Sequence, residues 1–127
     1  MIRVLPEEVD GLWPSIQIGL DRVLDRVNRD WEPKDVYVAL LEETSILYLF
    51  ENNEGFVVLT INSSFKGSTL FIWCFYSPTH TNAPAKYWPE IQQIARDIGV
   101  KKVQFASPRK GWEKMFKPIT TVYEGEA

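Results

Sequence analysis

The sequence predicts a single α/β (α+β) domain in which a mixed, mostly antiparallel sheet with one parallel strand pair is flanked by helices. Three observations carry that prediction. Apolar residues recur at helical spacing in two long segments, one near the start of the chain and one around residues 88–98. Between them, three apolar runs within residues 45–76 are joined by short turn sequences, the pattern of an antiparallel meander. A further apolar run, residues 100–106, follows the second long helix. Strand, helix and strand in that order require a right-handed crossover, and so one parallel pair inside an otherwise antiparallel sheet.

Each element has its own signal. Residues 2–5 read as a short strand stopped by Pro6. Leu12, Ile16, Leu20, Val23, Leu24 and Val27 share one helical face, with Asp21, Arg22, Asp25, Arg26 and Arg29 largely on the other, a solvated surface. Pro14 is expected in the first turn, where its missing N–H removes no internal bond. Trp31-Glu32-Pro33 breaks this helix, because the residue before a proline is pushed out of the helical region. A shorter helix is expected from Pro33 or Lys34 to Glu42, with Val36, Tyr37, Leu40 and Leu41 inward. Residues 45–51 form a strand, and Asn52-Asn53-Glu54-Gly55 tolerates the positive φ of a hairpin turn into a strand over residues 56–62.

A second turn spans residues 63–68 and contains Gly67. The run Thr69-Leu70-Phe71-Ile72-Trp73-Cys74-Phe75-Tyr76 is apolar without interruption, which predicts a central strand covered on both faces. After a loop over residues 77–86, Trp88, Ile91, Ile94, Ala95 and Ile98 return to helical spacing. Pro89 marks either the helix start or a kink, and Gly99 is placed as a left-handed cap. Residues 100–106 give a strand, residues 112–116 a short helix, and residues 119–123 a last strand. The acidic tail, residues 124–127, is expected to fray.

Composition bounds the possibilities. The 127 residues fit one domain, residues 1–127, with no internal repeat and no linker. Hydrophobic residues make up 45% and charged residues 24%, which gives an ordinary core and argues against disorder. A net charge of −3 argues against a protein built to grip nucleic-acid backbone. One cysteine, Cys74, cannot close an intramolecular disulfide, which fits a reducing compartment. The N-terminal residues lack the apolar stretch of a signal peptide, and no run is long enough to span a membrane. The expectation is therefore a soluble cytoplasmic protein.

Motifs with chemistry are few. There is no phosphate-binding Walker loop, nucleophile elbow or dinucleotide fingerprint. A single histidine and a single cysteine give no metal site. His80 lies in a loop with no sequence partner to orient it, and Cys74 lies mid-strand in an apolar run, where it reads as a small buried hydrophobe. Trp73, Trp88 and Trp112 either line one continuous cavity or fill the core.

The order of elements resembles that of the GNAT superfamily of N-acetyltransferases from about Ile2 to Tyr123. The C-terminal third carries most of the likeness: Ile94-Ala95-Arg96-Asp97-Ile98-Gly99-Val100, the strand after it, and Ser107-Pro108-Arg109-Lys110-Gly111-Trp112. The Arg109-Lys110-Gly111-Trp112 run is similar to small acetyltransferase-like proteins encoded by bacteriophages and prophages, so a phage virion is an alternative location.

The resemblance implies that acetyl-CoA or another acyl-CoA enters between two splayed parallel strands, its pantetheine arm against strand backbone and its pyrophosphate on an Arg/Gln-x-x-Gly-x-Gly/Ala loop. Glycines there let the backbone reach the phosphates, and a helix N-terminus adds partial positive charge. The corresponding residues 77–86 contain no glycine. The implied coenzyme contacts are Phe75 and Tyr76 on the strand, Thr79, Thr81 and Asn82 in the loop, and Arg109 across from it, with Lys86 and Lys110 as further charges. For Thr81 or Asn82 the plainer role, capping a helix with Pro84 in its first turn, outweighs phosphate binding, because nearly every helix needs a cap.

Direct acyl transfer needs a base for the amine and an acid for the departing thiolate. The strand over residues 69–76 has no carboxylate, and Ser107 and Trp112 stand where a tyrosine acid is implied, with Tyr123 further along. No catalytic residue is assigned. Two functions follow: an acetyltransferase-like protein with weakened or lost acyl-CoA chemistry and a protein-binding role, or an active acyl-CoA-dependent N-acyltransferase acting on an amine.

Overall fold

The computed structural model describes residues 1–24, 31–51, 55–65, 67–77, 83–106, 117–119 and 122–126, with backbone alone for Leu24, Ser64, Phe105, Ala106 and residues 117–126. Seven strands form one sheet: β1 (Ile2–Val4), β2 (Ser45–Leu49), β3 (Phe56–Ser64), β4 (Gly67–Tyr76), β5 (Lys102–Ala106), β6 (Lys117–Ile119) and β7 (Val122–Glu126). Their order is β1-β2-β3-β4-β5-β7-β6. Every neighbouring pair is antiparallel except β4 with β5, and the crossover between those two is the helix α3 (Ala83–Ile98). The mixed sheet and its one parallel pair are thus as the sequence predicts.

Two cores form because the central strands bury both faces. On β3, Phe56 and Val58 join Val9, Ile16 and Leu20 of α1 (Val9–Leu24) and Val36 and Leu40 of α2 (Pro33–Leu41). The alternate residues Val57 and Leu59 join Tyr87, Ile91 and Ala95 of α3 on the opposite face. Period-two alternation between two apolar layers is why this segment reads as a continuous hydrophobic run. A fully buried Leu or Ile here contributes roughly 1.5–3 kcal/mol.

Several boundaries depart from the sequence expectation. A 3-10 turn over Pro6–Glu8 leads directly into α1 at Val9, so Pro14 lies inside the helix and not in its first turn. Its missing N–H leaves the carbonyl of Asp10 without a helical donor, and both residues are exposed, so water can substitute. Pro89 is likewise internal to α3 and exposed, and the helix starts six residues before it. Leu41, expected inward, is exposed at the end of α2, where the chain is already turning away.

The turn expected over residues 63–68 is tighter. Ser63 and Ser68 are paired strand residues whose hydroxyls lie 3.1 Å apart, and Ser64 pairs with Gly67, at φ 110°. The last strand is two, β6 and β7, and the tail does not fray: β7 pairs with β5 from Val122 to Glu126. Pairing there removes the open edge that β5 would otherwise present. The short helix expected over residues 112–116 and the turn at Asn52-Asn53-Glu54 lie outside the described residues, as does the continuation of α1 beyond Leu24.

Two expectations about chain reversal hold in detail. Gly99 takes φ 89°, its N–H donates to the Arg96 carbonyl at 3.0 Å, and Val100 donates to Ala95 at 2.8 Å. Those two bonds define a Schellman cap, with buried Val100 and Ala95 in the same core. Gly55, at φ 123°, closes the β2–β3 hairpin by accepting a 2.9 Å bond from Phe50.

Candidate functional site

Strand β4 has two unlike halves. From Thr69 to Ile72 it pairs with β5, through Thr69–Lys102, Leu70–Val103, Phe71–Gln104 and Ile72–Phe105. There the parallel register stops, although β4 continues to Tyr76 and β5 to Ala106. The register with β3 slips at the same level: Val58 faces Cys74, Leu59 faces Ile72, and Trp73 is the extra residue of a bulge.

The bulge reverses the parity of the strand. Leu70 and Ile72 point into the α3 core, whereas Trp73, Cys74 and Tyr76 pack on the α1/α2 side and Phe75 returns to the α3 side. The described pairing of β4 with β5 ends at this bulge, and residues 107–116, which follow Ala106, lie outside the described residues. An extended ligand can pair with unpaired strand backbone as a strand would, and an N–H aimed into a gap between two such strands can polarise a carbonyl.

Aromatic residues wall both sides. Toward α3, Phe75 stands 4.9 Å from Phe50 between ring centroids, and Phe50 stacks on Tyr87 at 4.1 Å, the rings 6° from parallel. Toward α1 and α2, Trp73 meets Trp31 edge-on at 5.5 Å. Tyr76 lies opposite Phe56 in the register, and their rings are 5.5 Å apart. Trp73 and Trp88 pack against opposite cores, so they do not line one continuous cavity.

Two glycines set how closely the chain approaches Tyr76. A Cβ on Gly19 of α1 would lie 2.5 Å from the Phe56 ring and 2.8 Å from the Tyr76 ring. A Cβ on Gly55 would lie 1.8 Å from the Tyr76 carbonyl oxygen, in addition to the strain of its positive φ. With the ring so held, Arg22, one turn beyond Gly19, donates from Nη1 to the Tyr76 hydroxyl at 2.8 Å. At the other end of α1, the Tyr37 hydroxyl donates to the Asp10 carboxylate, which raises the Tyr37 pKa by stabilising its protonated form.

Of the residues the resemblance implies for the coenzyme, Phe75 and Tyr76 stand past the bulge, beside the gap, on opposite faces. Thr79, Thr81, Asn82, Arg109 and Lys110 lie outside the described residues, as do His80, Ser107 and Trp112, and Tyr123 is described by backbone only. Lys86, read as a loop residue, belongs to the first turn of α3 with Pro84, its ammonium 5.2 Å from the Tyr87 ring centroid.

Cys74 is buried, and burial holds its thiol far above the ordinary range, so it is a packing residue and not a nucleophile. Among the described residues no group of three His, Cys, Asp or Glu side chains could hold a metal ion. No described helix is long and apolar enough to cross a membrane. Sequence reasoning passed over Gly19 and placed Arg22 on a merely solvated face; a glycine in the middle of an amphipathic helix was the available signal of a close approach.

Among the described residues the edge of β4 beyond Ile72 has no β5 partner, which is backbone that an extended ligand such as a pantetheine arm could lie against. No protein-family model and no curated protein matches the chain in sequence. Solved structures do match in shape. A probable acetyltransferase superposes with a TM-score of 0.68 at 14% identity, covering 94% of this chain and 90% of that one. An aminoglycoside acetyltransferase, HMB0005, from an uncultured soil metagenomic sample superposes with a TM-score of 0.59 at 13% identity, covering 85% and 79%. At these identities the likeness is one of architecture, and it establishes that the chain has an acetyltransferase-like fold.

Proposed function

We propose that this protein binds acyl-CoA in the gap between β4 and β5 and that its capacity for acyl transfer is weakened. The observation that carries the reading is the end of the parallel register at Ile72–Phe105 while β4 runs on through the Trp73 bulge to Tyr76. In transfer, an amine nitrogen bonds to the thioester carbonyl carbon, the carbon–sulfur bond breaks, and the departing thiolate takes up a proton. Backbone N–H groups of the bulge would steady the developing oxyanion. Strand β4 carries no carboxylate to accept the amine proton, and the buried Cys74 thiol cannot take part. With no base on β4 itself, the reading is of weakened chemistry.

Titration with acetyl-CoA, followed by calorimetry and thermal denaturation, tests this. Binding to the native state alone at one hundred times the dissociation constant stabilises it by about 2.7 kcal/mol. Absence of any shift at millimolar acetyl-CoA removes the foundation of both the weakened and the fully active enzyme.

A second reading, a fold kept for protein contact, draws on the β3–β4 hairpin. β3 pairs with β2 only as far as Thr60 and β4 pairs with β5 only from Thr69, so the tip projects with Ile61 and Phe65 exposed. A phage or prophage source rests on the resemblance of residues 109–112 alone.

A further inference from the structure

We propose that Arg22 and Tyr76 form an anion-binding pair that selects an acceptor amine carrying a carboxylate, of the apolar α-amino acid class. The proposal rests on the reading of the β4–β5 gap as the acyl-CoA site and concerns what stands on its α1/α2 side. Arg22 is exposed, and its only hydrogen bond among the described residues is the 2.8 Å bond to the Tyr76 hydroxyl. No carboxylate pairs with it among those residues. A guanidinium has five N–H donors, and the bond to Tyr76 uses one of them. The Tyr76 oxygen accepts from Arg22, which leaves its own proton to donate elsewhere. The two groups therefore offer convergent donors, and a carboxylate suits a guanidinium fork better than it suits a single ammonium.

The pair is held in place before any ligand arrives. The Tyr76 ring rests against Gly19, where even a methyl group would collide, and beside its cross-strand partner Phe56. Arg22 follows Gly19 by three residues and so shares its helical face. Trp31 and Trp73, half-buried on the same side of the sheet, supply an apolar wall. A carboxylate on Arg22 and Tyr76, with an apolar side chain toward the tryptophans, leaves the amine to face the gap. A coenzyme phosphate shares the anionic chemistry, but the pair stands on the sheet face opposite α3, the helix that comes next in the chain after β4, and on that ground we give it to the acceptor.

Calorimetry on the full chain decides the matter, with N-acetyl-L-phenylalanine and its uncharged amide as probes and acetyl-CoA titrated separately. The acid is expected to bind about tenfold or more tightly than the amide, the value of a charge-assisted hydrogen bond. Arg22→Met and Tyr76→Phe should each remove most of that preference while amide affinity stays unchanged, and Arg22→Met should also leave acetyl-CoA affinity unchanged. Arg22→Lys should restore part of it. Tyr76→Phe keeps the packed ring, so its result does not depend on refolding.

Equal binding of acid and amide, or binding of neither, overturns the proposal. So does a loss of acetyl-CoA affinity in Arg22→Met with the acid unaffected, which would give the guanidinium to a coenzyme phosphate. If the protein distinguishes acid from amide yet does not bind acetyl-CoA, the pair stands and the coenzyme reading falls.

Discussion

The two edges of β4 teach where this fold is closed and where it is open. Toward β3 the register runs the whole length, from Ser64–Gly67 to Phe56–Tyr76, with one bulge. Toward β5 it ends at Ile72–Phe105. Both halves of β4 are equally apolar in sequence, so hydrophobicity does not separate them. What separates them is one additional residue, Trp73, which breaks the alternation and places Cys74 on the opposite core from Ile72. The lower half is structural in the ordinary sense, whereas the upper half is packed by side chains and, among the described residues, has no β5 backbone partner.

If side-chain packing alone keeps the upper half closed, Cys74 should resist thiol reagents despite the missing strand. Labelling in the native protein is expected to be about a thousandfold slower than in the unfolded chain, set by local opening. Fast labelling would show that the half beyond the bulge opens readily. The thiol also gives a pH signature. Its folded pKa is raised by burial, so above about pH 9 the unfolded chain sheds a proton that the folded chain keeps. Stability should therefore fall as pH rises past that point, and Cys74→Ala should lessen the fall in a denaturation series.

The next largest effect separates the halves directly. Leu70→Ala, in the closed half, should cost about 3 kcal/mol through lost burial and a cavity. Trp73→Ala is half-buried and should cost about half of that. The rank reverses for acetyl-CoA, where Trp73→Ala is expected to weaken binding and Leu70→Ala to leave it nearly unchanged. Equal effects on both readouts would dissolve the distinction between the halves.

Much of this architecture was legible because its signals are local. Asn52 to Gly55, Gly99 and the apolar run through Tyr76 each carry a backbone or burial requirement in a few residues, and the element order then forces the parallel pair. The bulge was not legible: seen in sequence, Trp73 is one more apolar residue in a strand, and only the slip between Val58 and Leu59 reveals it. Arg22 was hidden for the same reason. A charged residue on a helix looks solvated until tertiary packing brings Tyr76 against Gly19 and delivers a hydroxyl to it. Pro14 misled the placement of a helix start and Pro89 left one open, because an exposed internal proline costs a hydrogen bond that water can partly replace.

The closed half also depends on how β5 is delivered to β4. Gly99 turns the chain out of α3 at φ 89°, three residues before Lys102 takes up its place opposite Thr69. Gly99→Val puts a branched side chain in the left-handed region and should destabilise the domain by about 1–2 kcal/mol. Chemical denaturation that shows no change would mean that the cap is not what sets the start of β5.

The smallest effect comes from the matching turn on the other face. α2 ends with the same two bonds, Glu43 to the Leu40 carbonyl at 3.3 Å and Thr44 to the Ala39 carbonyl at 3.0 Å. Yet the residue at positive φ is Glu43, at 60°, where α3 uses glycine. Replacing Glu43 with Gly relieves a left-handed conformation that costs an L-residue roughly 1–2 kcal/mol, and it adds backbone freedom to the unfolded chain that offsets part of the gain. A net stabilisation below about 1 kcal/mol is expected. Because α2 leads into β2, two strands from β4, acetyl-CoA affinity should not change. A stabilised variant with altered coenzyme binding would show that the open edge of β4 is coupled to the far side of the sheet, and that the two edges cannot be treated as independent.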